Sequence, residues 1–336
     1  MLEKGDSKVP GLSSLEEDKW KDIREGVRTL CLNFSGEYWR KLDNNREYPE
    51  KFVKALTKAG YLACLIPEEY GGSGLPLQAA CVILEEIQRS GGNGAACHAQ
   101  MYIMGALLRH GSEEQKNKFL PKIASGELRL QAFGVTEPDA GTDTLSIKTK
   151  AEKKSNCYII NGQKVWTSRA EYSDLMLLLA RTSNKSSEKR TEGLSLFLIN
   201  IQKSKDKGLN IKPIRTMINH ATTEIFFDNL EIPLNSLIGE EGKGFKYILD
   251  GMNAERILIA AECVGDSRFF IDRSTAYAKD RKVFGRPIGQ NQGVQFPISR
   301  AYADTEAAAL VVQRAAKLFD SNIPCGAEAN IAKLLA

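Results

Sequence analysis

The sequence predicts an α+β multidomain fold, with a helical N-terminal domain, a middle antiparallel β domain and a C-terminal helical bundle, and three observations predict it. Apolar residues recur three and four apart as far as about Leu130; short runs rich in β-branched and aromatic residues, separated by turn residues, then take over; and the helical period returns near Gly242. The expected domains are therefore 1–130, 131–240 and 241–336. A chain of 336 residues with 42% hydrophobic content is long enough to bury two or three compact units.

In the first region the helical period is carried by Phe52, Val53 and Leu56 and by Ala80, Val82, Ile83 and Ile87. Breaks are expected at Pro67, Gly71, Gly72, Gly74 and Pro76, and again at Gly91, Gly92 and Gly94. Ser112 reads as an N-cap and Gly126 as the end of the helix that follows it. The β region is expected to contain QAFGVT, IKTKAEK, CYIING, KVWTS, LMLLLAR, LSLFLIN and TEIFFDN, with tight hairpin turns at Ser155-Asn156 and Asn161-Gly162 and an exposed polar loop between Arg181 and Gly193. The last region should hold two long helices, the first capped at Asn253. The closing IAKLLA, with no Gly, Pro or polar tail, reads as a helix cut through, so the C-terminal bundle is expected to be incomplete.

Charge is nearly balanced, 46 basic against 42 acidic residues, without a basic block, which argues against a nucleic-acid partner. Seven cysteines without a CxxC pair suit a soluble, reducing compartment. The three histidines, His98, His110 and His220, have no metal-ligand spacing and read as structural, so no metal site is expected. No apolar run reaches the roughly 18 residues of a membrane helix, and the first twenty residues lack a secretory signal's apolar segment.

Four segments hold residues suited to chemistry. Phe133-Gly134-Val135-Thr136-Glu137-Pro138-Asp139-Ala140-Gly141-Thr142-Asp143 runs from strand into a loop that offers N–H groups and hydroxyls to a planar polar ligand; an ordinary strand-to-turn segment is the other reading. Trp166, Thr167 and Ser168 end a strand, where the indole can edge an aromatic cofactor or simply fill a core. Glu255 either serves the dipole of a helix starting at Asn253 or, beside an apolar pocket, has a raised pKa suited to a base, with Arg256 next to it. Arg281 to Gln292, RKVFGRPIGQNQ, forms a basic, amide-rich loop suited to a pyrophosphate or to solvent.

In this order and spacing VTEPDAGTD, NGQKVWTS, GKGF and RKVFGRPIGQNQ resemble the motifs of the acyl-CoA dehydrogenase family, and the likeness runs from about Ser14 to the end. The resemblance implies an enzyme of fatty-acid metabolism that holds FAD between its last two domains and across a subunit boundary, as a homodimer or homotetramer. Phe133, Val135 and Thr136 would line the flavin, Trp166 and Ser168 would flank its reactive face, and Ser168 would stand where the family usually has Thr. Arg281, Phe284 and Gln292 would reach the adenosine and diphosphate of FAD bound mainly to a neighbouring subunit. Thr142, Asn253 and Arg256 would touch the acyl-CoA.

Glu255 matches the position at which isovaleryl-CoA and long-chain dehydrogenases carry their base. It would take the α proton of the thioester while the β hydrogen leaves as hydride to flavin N5, and an electron-transfer flavoprotein would receive the electrons. Family members continue past the equivalent of Ala336 with a Gly-rich flavin contact and one thioester N–H donor. A catalytically silent flavin- or subunit-binding homologue and an oxygen-using oxidase are the alternatives. The expected location is the mitochondrial matrix in a eukaryote and the cytoplasm otherwise.

Overall fold

A computed structural model describes residues 19–183 and 191–336. Six helices come first, α1 (Lys21–Cys31), α2 (Gly36–Asn45), α3 (Glu50–Lys58), α4 (Leu77–Arg89), α5 (Ala99–His110) and α6 (Glu113–Ser125). Phe52, Val53 and Leu56 of α3 and Ala80, Val82, Ile83 and Ile87 of α4 are all buried, as their spacing predicts. Ser112 and Gln115 form a reciprocal capping box at the start of α6, and Gly126 ends that helix in the left-handed conformation. Pro76 leaves α4 without a local side-chain cap; Asp320, from far along the chain, accepts the N–H groups of Leu77 (2.7 Å) and Gln78 (3.1 Å) instead.

The β domain comprises β1 (Leu130–Gly134), β2 (Lys150–Lys153), β3 (Cys157–Ser168), β4 (Leu175–Arg181), β5 (Leu194–Asn200), β6 (Leu209–Pro213), β7 (Thr222–Pro233) and β8 (Leu237–Ile238), with the one-turn helix α7 (Ile201–Ser204) between β5 and β6. The order is β6-β7-β3-β2-β4-β5-β8, with β1 beside β4. Pairing is antiparallel except that β1, and β2 at one residue pair, run parallel to β4. The LMLLLAR run of β4 is apolar throughout because both of its faces are covered: Leu175, Leu177 and Leu179 enter the core shared with the helices, while Met176, Leu178 and Ala180 enter a second core within the β domain.

Ser155-Asn156 is a hairpin turn, closed by Lys154 N–H donating to Cys157 O at 2.8 Å. Asn161-Gly162 is not: β3 runs straight through it, with a bulge against β7. Gly162 has φ +148°, and a Cβ there would lie 2.6 Å from Thr149 Cα, so the glycine admits close strand approach. The Asn161 side chain is spent across the strands, accepting from Asn229 N–H at 2.8 Å. Strand β6 escaped the sequence reading. Most of the polar stretch between Arg181 and Gly193 lies outside the described residues, although Thr182 N–H meets Gly193 O at 2.9 Å.

The last region contains α8 (Gly244–Asp280), α9 (Gln292–Asp320) and α10 (Gly326–Leu335); a two-residue ribbon, β9 (Lys282–Val283) with β10 (Arg286–Pro287), links the first two. Asn253 is not an N-cap. The helix starts at Gly244, so Asn253 lies in its interior and Glu255 is eleven residues past the start. An interior glycine costs a helix only about 1 kcal/mol, so Gly251 does not interrupt it, and the Asn253 side-chain Oδ1 accepts from Arg256 Nη1 at 3.2 Å. All seven cysteines are free thiols. Each histidine meets a carboxylate: His98 with Glu262, His110 with Asp250 and His220 with Asp43. Among the described residues no helix is long and apolar enough to cross a membrane.

Candidate active site

The first group of candidate residues is assembled by β1 and β3. Lys164, fully buried, sends its Nζ to Val135 O at 2.8 Å and to Glu137 Oε1 at 2.9 Å, while Val165 N–H donates to Thr136 O at 2.9 Å. Glu137 in turn accepts the N–H groups of Lys148 (2.6 Å) and Thr149 (2.9 Å). The carbonyls of Val135 and Thr136 are therefore both engaged, by Lys164 Nζ and by Val165 N–H. Burial pushes the Lys164 ammonium down to about 8 against the pull of Glu137. Burial also opposes charge on Glu137, but the Lys164 charge and the N–H groups outweigh it and hold the carboxyl below its ordinary value.

At the far end of β3 a second bulge falls between Lys164 and Thr167. Trp166 sits at it with φ +61° and is 59% exposed. A left-handed backbone at a bulky aromatic residue is costly and persists only where the surrounding structure holds it. Ser168 Oγ accepts from Asn219 Nδ2 at 2.9 Å, which leaves its own O–H to donate. Thr167 Oγ1 is buried and has no partner among the described residues. An exposed indole, a free hydroxyl and the donors of Val135 and Thr136 form a donor set that fits a flavin ring. Phe133 packs from β1 onto the helical core, and Thr142 stands exposed on the loop after Glu137.

The second group lies on α8. Ala254, Ile257, Leu258, Ala260 and Ala261 are buried around Glu255. Desolvation raises the Glu255 carboxyl above the ordinary glutamate range, and the charges of Arg256, Arg169 and Lys333 only partly offset it. A carboxyl shifted in this direction suits a general base, and the helix-dipole reading fails because Glu255 is three turns from the helix start. Arg169, the residue after Ser168, connects the two groups. It is 5% exposed, donates through Nη1 to Ala95 O and hydrogen-bonds Tyr102, whose phenol is within electrostatic range of Glu255.

The third group stands apart. Arg281 follows the last residue of α8, Phe284 at the tip of the ribbon is fully exposed with φ +51°, and Gln292 opens α9. Twenty-six residues separate Glu255 from Arg281, about 39 Å at 1.5 Å per residue, so these three do not join the site around Glu255 in the same chain.

Lys164, Glu137, Tyr102 and Arg169 were missed from sequence. Lys164 had a signal, since it falls in phase with Tyr158 and Ile160, the buried positions of β3, and a lysine there demands an anionic partner. Arg169 had none to distinguish it from any arginine in a turn.

Three family models cover most of the chain: the N-terminal domain of acyl-CoA dehydrogenase matches residues 17–127, its middle domain 132–230 and its C-terminal domain 242–336. An acyl-CoA dehydrogenase of Bacillus subtilis is 34% identical over 319 residues, 94% of this chain and 82% of that protein. Among solved structures, a glutaryl-coenzyme A dehydrogenase in complex with glutaryl-CoA superposes with a TM-score of 0.88 at 30% identity, covering 95% of this chain and 81% of that one. The FAD complex of PigA superposes at 0.86 and 26% identity, covering 95% and 83%. The chain belongs to the acyl-CoA dehydrogenase family.

Proposed function

We propose that the protein dehydrogenates an acyl-CoA thioester between its α and β carbons to the 2-enoyl-CoA, with Glu255 as the base. The carrying observation is that Glu255 is half-buried beside the buried Ala254, Ile257 and Leu258 of α8, where desolvation raises its carboxyl and the charges of Arg256, Arg169 and Lys333 only partly offset the rise. A base desolvated in this way takes a carbon-bound proton more readily than a solvated carboxylate does. FAD, when bound, supplies the acceptor for the β hydride. Val135, Thr136, Trp166 and Ser168 would hold its ring, the Ser168 O–H being free to donate to a ring nitrogen, while Phe133 backs the strand. Thr142, Asn253 and Arg256 hold the CoA arm.

Arg281, Phe284 and Gln292 would hold the adenosine and diphosphate end of an FAD whose ring is bound by a second copy of the chain, which would make the working form a homo-oligomer, a dimer or a tetramer. The long separation along α8 and the full exposure of Phe284 support this reading. An electron-transfer flavoprotein is the proposed electron acceptor. Anaerobic addition of acyl-CoA to the FAD-loaded protein should bleach its visible absorption and yield one 2-enoyl-CoA per flavin; a flavin that stays yellow with every acyl-CoA sinks the assignment, and stoichiometric peroxide in air would make the protein an oxidase.

A further inference from the structure

We infer that Asn219 is a positioning residue that sets the direction of the Ser168 hydroxyl and so reserves its hydrogen for the flavin. The inference rests on the reading of Ser168 as a flavin contact. The backbone on both sides of Ser168 is already fixed. Ser168 pairs with Thr222 across β3 and β7, the Thr167 carbonyl accepts from Thr223 Oγ1 at 2.6 Å, and Arg169 N–H donates to Ala221 O at 2.6 Å. What the strands leave undecided is the rotation of the hydroxyl, which can donate once and accept twice. Asn219 decides it. Its Nδ2 donates to Ser168 Oγ at 2.9 Å, and an amide nitrogen has no lone pair to offer in return, so the serine accepts there and its hydrogen points elsewhere.

The loop between β6 and β7 holds Asn219 in place for this. Asn219 has φ +55°, a left-handed conformation that asparagine and aspartate adopt more readily than other residues with a side chain. Its carbonyl oxygen accepts from Thr216 Oγ1 (3.1 Å), Thr222 Oγ1 (2.7 Å) and Thr222 N–H (3.1 Å). The turn is thus closed through the Asn219 backbone alone, and the side-chain amide is left to act on Ser168. The end of α2 ties the loop down from the other side. Arg46 donates from Nη1 to Thr216 O at 3.3 Å, and His220 Nε2 lies 2.8 Å from Asp43 Oδ1. A hydroxyl that had to find its orientation only when the ring arrived would lose rotational freedom on binding; one already constrained by Asn219 loses less.

Asn219→Asp tests this most sharply. Aspartate keeps the size of asparagine and its tolerance of the left-handed backbone, but it replaces the donor by an acceptor, so the carboxylate takes the Ser168 hydrogen and turns it from the ring. Two readouts need no turnover: the visible absorption of the FAD-loaded protein and the dissociation constant of FAD. Ser168→Ala should shift the flavin bands and weaken FAD binding about fivefold, and Asn219→Asp should shift them too and weaken binding about five- to tenfold. In the Ser168→Ala background the same aspartate should cost only about twofold, because no hydroxyl is left to turn. An Asn219→Asp protein with the wild-type spectrum and FAD affinity overturns the inference. So does a loss of the same factor with and without the Ser168 hydroxyl, the mark of a purely structural asparagine. If Ser168→Ala itself leaves spectrum and affinity unchanged, the flavin contact of Ser168 fails and the role of Asn219 falls with it; a shift in Ser168→Ala without one in Asn219→Asp removes Asn219 alone.

Discussion

The two halves of α8 are built for different neighbours. From Gly244 to Gly265 the helix is buried against α4, α5 and β5, and its side chains Ile257, Leu258, Ala261 and Val264 belong to the chain's own core. From there to Asp280 only Ala278 is buried, and Phe270 and Tyr277 stand 62% and 61% exposed, a run that continues through Phe284. The buried half can desolvate a carboxylate and hold its pKa up; the exposed half, with Arg281 beyond it, offers aromatic surface and a guanidinium to another molecule. On the proposed reading, one continuous helix carries the base for the reaction in one half and residues for assembly in the other.

Substitutions at the two ends should separate these roles. Glu255→Gln should lower the rate of flavin reduction by about 10²- to 10⁴-fold, the range of general-base catalysis, while the protein stays yellow after gel filtration. A comparable rate loss in Phe284→Ala with FAD retained would break the division. Lys164→Met tests the support under the ring: it strands Glu137 in a buried site and should cost about 3–5 kcal/mol in denaturant unfolding, with FAD lost as the fold weakens. Arg281→Met should weaken FAD binding by about ten- to a hundredfold, an effect that grows on dilution if the cofactor is shared between copies, while the bleaching rate of protein still loaded is unchanged. Ser168→Ala should be the mildest, removing the bond to the flavin and the one accepted from Asn219, each about 1 kcal/mol, and shifting the flavin absorption.

The order of helical and β regions was legible because the apolar period itself changes from near four to two and back, and the caps Ser112 and Gly126 act through local backbone chemistry alone. What misled was local chemistry overruled by packing. Asn161-Gly162 is a strong hairpin signal, yet cross-strand bonds to Asn229 and the close approach of Thr149 absorb it into a straight strand. Gly251 and Asn253 look like a helix start, yet the burial of residues on both sides keeps α8 continuous. Residue type and spacing left Glu255, Trp166 and Ser168 each with two readings, and the resemblance to the family decided between them. The Lys164–Glu137 pair and Arg169 act through partners distant in sequence, 27 residues away for the pair and 74 for Arg169 and Ala95, and only the folded chain brings those partners within reach.

The dependence of single-turnover flavin reduction on pH, measured on wild type and Glu255→Gln, tests the role of Glu255 most directly. A base acts in its ionised form, and burial raises the pH at which Glu255 ionises, so the wild-type rate should climb as pH rises through a midpoint above the ordinary glutamate range and then level off. Glu255→Gln should be slow and flat across the same range; a variant that keeps the wild-type rate, or keeps the same midpoint, would contradict the assignment of Glu255 as the proton acceptor.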